Sequence, residues 1–429
     1  MRPIFLAALA FLIAAPTALA CTGQSVHLEG NFVIGDPGWG PQDERFNVQG
    51  AKAVFTPESG TQTARWHTGL TLTDLDACVT LTMPNDPVDT SRTYAGLLFW
   101  LTDKDNFYEA VVAPNGLFTV ARKINGRIVS AAPVPWTKTD ALTLEPGSKN
   151  VLRVTLEGQM VTVRLNDKEV ARFRGQAPTK ASHIGLVAAS APDATDIWHV
   201  SDLKITNVTT ADATDATDAK AKADAEGQIS TGTVEPKKGC ASGDILFADA
   251  FNEHDPTWGP KDARVSIGNG VAELSPVPGT STFRWNKAFV FDDIDVCASV
   301  RLSRPTVDST TSYAGLMFWV RDDRNFYEAV LAPNGYFTVA RVVDGKAEEK
   351  RPVDWMKLKA AETGAKETNT LRVVTKGDKV TLLVNGTEVA SFTGAPPDEP
   401  SYVGLLAASA QSKRGDTWAV SDFRVTAPQ

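Results

Sequence analysis

The feature that most constrains this chain is an internal duplication. Tyr94 to Arg122 reads YAGLLFWLTDKDNFYEAVVAPNGLFTVAR, and 219 positions later Tyr313 to Arg341 reads YAGLMFWVRDDRNFYEAVLAPNGYFTVAR; the 29-residue windows differ at seven positions. The same offset relates Trp39 to Trp258, Trp66 to Trp285, Trp100 to Trp319, Trp136 to Trp355, Asn150 to Asn369 and Asn166 to Asn385, and near the end it slips by one to pair Trp198 with Trp418. All ten tryptophans belong to these five pairs. A repeat of this length is a duplicated domain, since solenoid units are far shorter.

Inside each copy the pattern predicts strand after strand. Ala95 to Leu101, Phe107 to Ala113 and Leu117 to Arg122 form one three-strand unit. Ala53 to Thr56, Leu70 to Leu72, Ala77 to Met83, Val151 to Leu156, Met160 to Leu165 and Val170 to Phe173 are further short runs rich in Val, Leu, Thr and Phe. Asn125-Gly126, Asp344-Gly345, Asn166-Asp167 and Asn385-Gly386 are two-residue hairpin signals. No segment has the periodicity of an amphipathic helix of three turns. The expected fold class is therefore all-β: two tandem antiparallel jelly-roll β-sandwiches, each long enough for its own core.

Residues 1–20 read as a secretory signal peptide, with Arg2, an apolar run from Ile4 to Ala15, and Ala18-Leu19-Ala20 before the cut. That run is too short to span a bilayer. Cys21 would begin the mature chain, which leaves lipid attachment there as an alternative to disulfide bonding. Cys21 and Cys78 are 57 residues apart, as are Cys240 and Cys297, and Cys240 follows no signal peptide. One disulfide in each copy accounts for all four, and an oxidising, exported location, periplasmic or extracellular, follows. The formal net charge of -8 without a basic run argues against nucleic acid and anionic membranes as partners. No further run approaches a membrane span in length. The expected domains are residues 21–207 and 240–429. Between them, 208–239 is rich in Ala, Asp, Thr and Lys, a composition that predicts a disordered linker and independent motion of the two domains.

The succession GLLFW, a polar turn with Asn106-Phe107-Tyr108, a turn at Asn115-Gly116, FTVAR, Trp136, Asn150-Val151-Leu152-Arg153-Val154 and LNDKEVARF resembles the concanavalin A-like, laminin-G-like jelly rolls of bacterial exported proteins. It is similar in particular to the 3-keto-disaccharide hydrolase domain. The chain departs from that pattern, carrying YAGLLFW and YAGLMFW where a Gly-Asn-Ser-Gly-Ile-like strand is typical. The resemblance implies the sandwich fold and, for activity, either sugar binding or hydrolysis of a glycoside or keto-sugar. Fold alone does not choose between these.

Hydrolysis would need two carboxyl groups about 5 to 9.5 Å apart across the bond. Glu109 and Glu328, the acidic residues inside the central strands, are the candidates, with Asp103 and Asp322 at the preceding turns as companions. The competing expectation is that Glu109 pairs with Arg122, and Glu328 with Arg341, across adjoining strands. His27, His67, His183, His199 and His254 have no histidine counterparts in the other copy, and no Gly-x-Ser-x-Gly occurs, which excludes a zinc site or serine triad shared by both domains. The turn Asp103-Lys104-Asp105-Asn106 offers oxygen ligands, but Arg324 replaces Asp105 in the second copy, so a hydrogen-bonded turn is expected and neither metal nor cofactor. Indole faces are natural platforms for a pyranose. The candidates in loops are Trp39, Trp258, Trp136 and Trp355, followed by Arg65-Trp66 and Arg284-Trp285. The leading expectation is an exported, non-catalytic tandem glycan-binding protein whose partner is a carbohydrate such as an envelope polysaccharide, with avidity from two sites. A hydrolase using Glu109 and Glu328, and a structural or protein-binding envelope module, are the alternatives.

Overall fold

A computed structural model describes residues 21–208 and 239–428 apart from 22, 31, 34, 88–89, 91, 130–131, 241–242, 305–310, 365 and 412–413. The expected signal peptide and nearly all of the expected linker lie outside the described residues.

The described chain forms two tandem antiparallel β-sandwiches. In the first, an eight-stranded sheet runs in the order Lys168–Arg174, Met160–Leu165, Lys149–Glu157, Leu75–Thr82, Trp198–Thr206, Lys52–Phe55, Phe46–Gln49, with Val26–Gly30 also pairing with Trp198–Thr206. Opposite it, a seven-stranded sheet runs Val134–Lys138, Leu117–Ile124, Asn106–Val112, Tyr94–Asp103, His183–Ala189, Gln62–Trp66, with Arg127–Ile128 pairing with Leu117–Ile124. The second sandwich repeats both sheets. Of the expected strands, Leu70 to Leu72 is reduced to a single bridge between Leu72 and Ser182. All four two-residue turns have positive φ at both central positions, the primed geometry that matches strand twist.

Alternation along the strands divides each seven-stranded sheet into two apolar faces. Leu97, Phe99, Tyr108, Ala110, Val112 and Leu186 meet Phe55, Val79, Leu81, Val154 and Trp198 of the facing sheet to form the core. Leu98, Leu101, Phe107, Val111 and Val187 form a second cluster on the outer face. The strand switches phase at Trp100, where φ is 46° and the register shifts between Phe99 and Asp103. This bulge turns two consecutive aromatics, Phe99 and Trp100, into the core. Trp319, with φ 48°, repeats it.

The eight-stranded sheet carries the crosslink on its own outer face. Cys21 is bonded to Cys78 and Cys240 to Cys297, with Cα–Cα separations of 5.6 and 5.7 Å. Two residues before Cys78, and so on the same face, Asp76 accepts a hydrogen bond of 2.8 Å from Arg153 Nε, both side chains being almost fully buried. Arg372 repeats this contact to Asp295 with two bonds of 2.7 and 2.5 Å. Two disulfides fit an oxidising compartment. No helix among the described residues is long and apolar enough to cross a membrane.

The two sandwiches touch, contrary to the independence expected from the linker composition. Tyr108 Oη and Arg122 Nη1 both donate to Ala288 O, at 3.2 and 3.0 Å, and Arg174 Nη1 donates to Ala248 O at 2.6 Å. The Gln176 amide donates to Val290 O at 3.2 Å and accepts from Val290 N at 3.3 Å. Arg127 forms an ion pair with Glu399, and Ile124 and Val129 pack on the outer cluster of the second copy.

Candidate functional site

The outer face of each seven-stranded sheet carries a buried carboxyl with a tyrosine beside it, Glu109 with Tyr94 and Glu328 with Tyr313. Glu109 sits in the middle of its sheet, opposite Leu98 on one neighbouring strand and Ala121 on the other. The expected partner Arg122 is opposite Tyr108 and therefore on the other face; its guanidinium lies 5.1 Å over the Tyr108 ring. Glu109 instead accepts a hydrogen bond of 2.7 Å from Gln62 Nε2. The expected pairing is overturned in the second copy too, where Arg341 joins Glu348 at 3.1 Å.

Surrounded by Leu98, Phe107 and Val111, the Glu109 carboxyl is only 5% exposed. Burial pushes its pKa up, against the pull of the Gln62 hydrogen bond and the Lys123 charge. Glu328 is pushed up to about 7 by the same desolvation, partly opposed by Arg351. The charge on each carboxylate, added to burial, also raises the phenol beside it, Tyr94 in one copy and Tyr313 in the other.

Aromatic side chains border this face. Trp66 and Tyr94 pack on the outer cluster, and Trp136 lies 6.1 Å from Tyr94 with 42% of its surface exposed. Trp285, Tyr313 and Trp355 repeat the arrangement, with Trp355 5.9 Å from Tyr313 and Arg351 5.9 Å over the Trp355 ring. Between these borders the face is filled largely by apolar side chains.

The other expected site residues lie elsewhere. Trp39 and Trp258 are 3% and 1% exposed, because each sits in a one-turn 3₁₀ segment, capped by Asp36 or Asp255, that folds the indole inward. Trp39 packs edge-on to His67 at 5.5 Å, and Trp258 Nε1 donates to Asp249 at 2.7 Å. Neither is an exposed platform. Arg65 alternates to the face opposite Trp66, where it pairs with Asp43 at 2.6 Å and lies 5.1 Å over Phe46; Arg284 pairs likewise with Asp262. Asp103 accepts from Asp105 N at 2.8 Å and from Asn106 Nδ2 at 3.0 Å, and Asp322 closes the matching turn with Arg324 N and Asn325. These are the hydrogen-bonded turns that the sequence predicts, and their carboxylates are committed to them.

Sequence reasoning missed Gln62, Tyr94, Lys123 and Arg351. The signal for the first two was alternation: Gln62 is an even number of residues from Trp66, and Tyr94 from Leu98. The copies differ here. Ser281 stands in place of Gln62, Val342 in place of Lys123, and Arg351 in place of Ala132, so each copy gives its carboxylate one cation from a different strand or loop.

No family model matches the chain, so the hydrolase resemblance stands on its motifs alone, and no curated protein matches it. Among solved structures it is similar to the carbohydrate binding module CBM66 from Bacillus subtilis, at 16% identity over 36% of this chain and 86% of that one, TM-score 0.29. It is also similar to the Emp46p carbohydrate recognition domain, at 12% identity over 42% and 95%, TM-score 0.33. A β-glucanase of Bacillus licheniformis matches at 12% identity over 44% and 100%, TM-score 0.32.

Proposed function

We propose that the chain is an exported, non-catalytic tandem that binds carbohydrate at the borders of its two seven-stranded sheets. The observation that carries this reading is the repeated aromatic pair, Tyr94 with Trp136 and Tyr313 with Trp355, placed beside the buried carboxyl of Glu109 or Glu328. An indole that is part exposed can stack on the apolar face of a pyranose while Gln62, Lys123 or Arg351 meets its hydroxyls. Hydrolysis is less well supported. The reacting bond needs a carboxyl on each side, whereas Glu109 and Glu328 each lie alone in an apolar cluster and Asp103 and Asp322 are held in their turns.

The test is a polysaccharide pull-down and glycan array with the mature protein, run beside Trp136→Ala/Trp355→Ala and Glu109→Gln/Glu328→Gln. Binding weakened tenfold or more, about 1.4 kcal/mol or above, by the Trp pair and retained with the Glu pair is the expected result. Released sugar that disappears with the Glu pair would make the protein a hydrolase.

A structural or protein-binding role has one specific observation in its favour, the filling of the face by Leu98, Leu101, Phe107, Val111 and Val187. No binding on any glycan would select it.

A further inference from the structure

We propose that the seam between the two sandwiches is a dedicated docking interface, specified by residues at which the copies have diverged, so that the halves form one body and dock only once. Tyr108 and Arg122 keep their counterparts, Tyr327 and Arg341, but the other polar side chains that anchor the seam have diverged. Arg174 and Gln176, which hold the backbone of Ala248 and Val290, correspond to Thr393 and Ala395. Val129, packed on the second copy, corresponds to Glu348, which occupies Arg341, the counterpart of Arg122. Arg127 and its partner Glu399 correspond to Lys346 and Lys180, two like charges.

The receiving segment has changed in the same sense. Ala288-Phe289-Val290-Phe291 is buried throughout, while its counterpart Gly69-Leu70-Thr71-Leu72 alternates between exposed and half-buried. Four consecutive apolar residues between two strands would be a liability on an open surface. Ala288, Phe289 and Phe291 are taken into the second copy's own core, and Val290 joins the outer cluster on which Ile124 and Val129 of the first copy pack.

The contact is head-to-tail: a surface of the first copy meets a different surface of the second. Repeated between molecules, such a contact builds open filaments. Here the free ends no longer match, since Thr393 and Ala395 cannot make the anchoring bonds and Lys346 would face Lys180. Docking is thereby confined to the pair within one chain. It also packs Ile124 and Val129 of the first copy on the outer cluster that contains Val290, Phe326 and Tyr402, so part of the second outer face is covered by the first domain.

The test uses the full chain with a protease site inserted between residues 211 and 225. No disulfide joins the halves, so cleavage leaves only the seam to hold them. After cutting, the natural sequence should elute from size exclusion as one particle at micromolar concentration. Arg174→Thr/Gln176→Ala, which installs the residues that the second copy itself tolerates, should separate into two folded halves, with at least a tenfold weaker association and an unchanged circular dichroism spectrum. Arg127→Glu, which sets two like charges at the rim, should weaken association further at low salt than at high salt. Cut halves of the natural sequence that run apart, or a double variant that stays together as tightly as the natural sequence, would overturn the proposal.

Discussion

Gly394 lies directly against the indole of Trp319: a Cβ on Gly394 would come within 2.4 Å of Cζ3, and the equivalent approach of Gly175 to Trp100 is 2.3 Å. The ring cannot retreat, because the bulge at Trp319 drives it into the core beside Tyr327, 5.1 Å away. Gly394→Ala should therefore destabilise the second sandwich by about 1–3 kcal/mol, the usual penalty of overpacking. Denaturant unfolding followed by Trp fluorescence reads it. A loss within half a kcal/mol would mean that the bulge yields.

Glu328 gives the second sandwich a pH dependence. Its carboxyl is raised from 4.5 to about 7 in the folded state, so the native protein holds this proton more tightly than the unfolded chain does. Stability from this group is complete below about pH 4.5 and is lost as pH rises towards 7. Glu328→Gln keeps the shape and removes the titration. The variant should match the parent at pH 4 and exceed it at pH 8 by on the order of 2 kcal/mol, measured by thermal unfolding of both proteins across that range. Parallel curves at every pH would count against the shift.

Removing the second disulfide by Cys240→Ser/Cys297→Ser releases a loop closed across 57 positions. Chain-entropy accounting gives about 4 kcal/mol for a loop of that length, an upper figure where the unfolded chain keeps structure. The Gly394→Ala measurement repeated on this variant would show whether the two effects add, as distant sites should.

Asp295 is almost wholly buried and takes both its strong bonds from Arg372. Arg372→Met alone strands that carboxylate and should cost about 3–5 kcal/mol, whereas Asp295→Leu/Arg372→Met removes both charges and should recover most of the loss. A double variant as unstable as the single one would show that the pair's geometry, rather than charge burial, supplies its value.

The repeat, the primed hairpin turns and the all-β class were legible because each depends on local chemistry: Asn-Gly tolerates positive φ, and period-two alternation has one structural meaning. The site was less legible because it depends on register. Placing Glu109 against Arg122 instead of Ala121 is an error of one residue, and one residue exchanges the faces of a sheet. Trp39 and Trp258 misled for a different reason. Pro and Gly on either side mark a loop, but only the cap from Asp36 or Asp255 shows that the turn points its indole inward. The ion pair of Asp76 with Arg153 left no local trace at all, since its partners are 77 positions apart. The docking segment was readable only by difference, in the change from Gly69-Leu70-Thr71-Leu72 to Ala288-Phe289-Val290-Phe291.

Two nearly interchangeable three-strand units on one chain invite mispairing, since either could complete the other's sheet while the protein is being made. The order of the crosslinks works against this. Cys21 and Cys78 both precede Tyr94, and Cys240 and Cys297 both precede Tyr313, so each bond can close before the unit that follows it emerges. Each bond ties the start of its copy to the strand that precedes its three-strand unit, and that strand's ladder partners, such as Lys149–Glu157 and Trp198–Thr206 in the first copy, follow within the same copy. Both crosslinks lie wholly within one copy and upstream of its three-strand unit, so they keep each unit tethered to its own sandwich and not to the other.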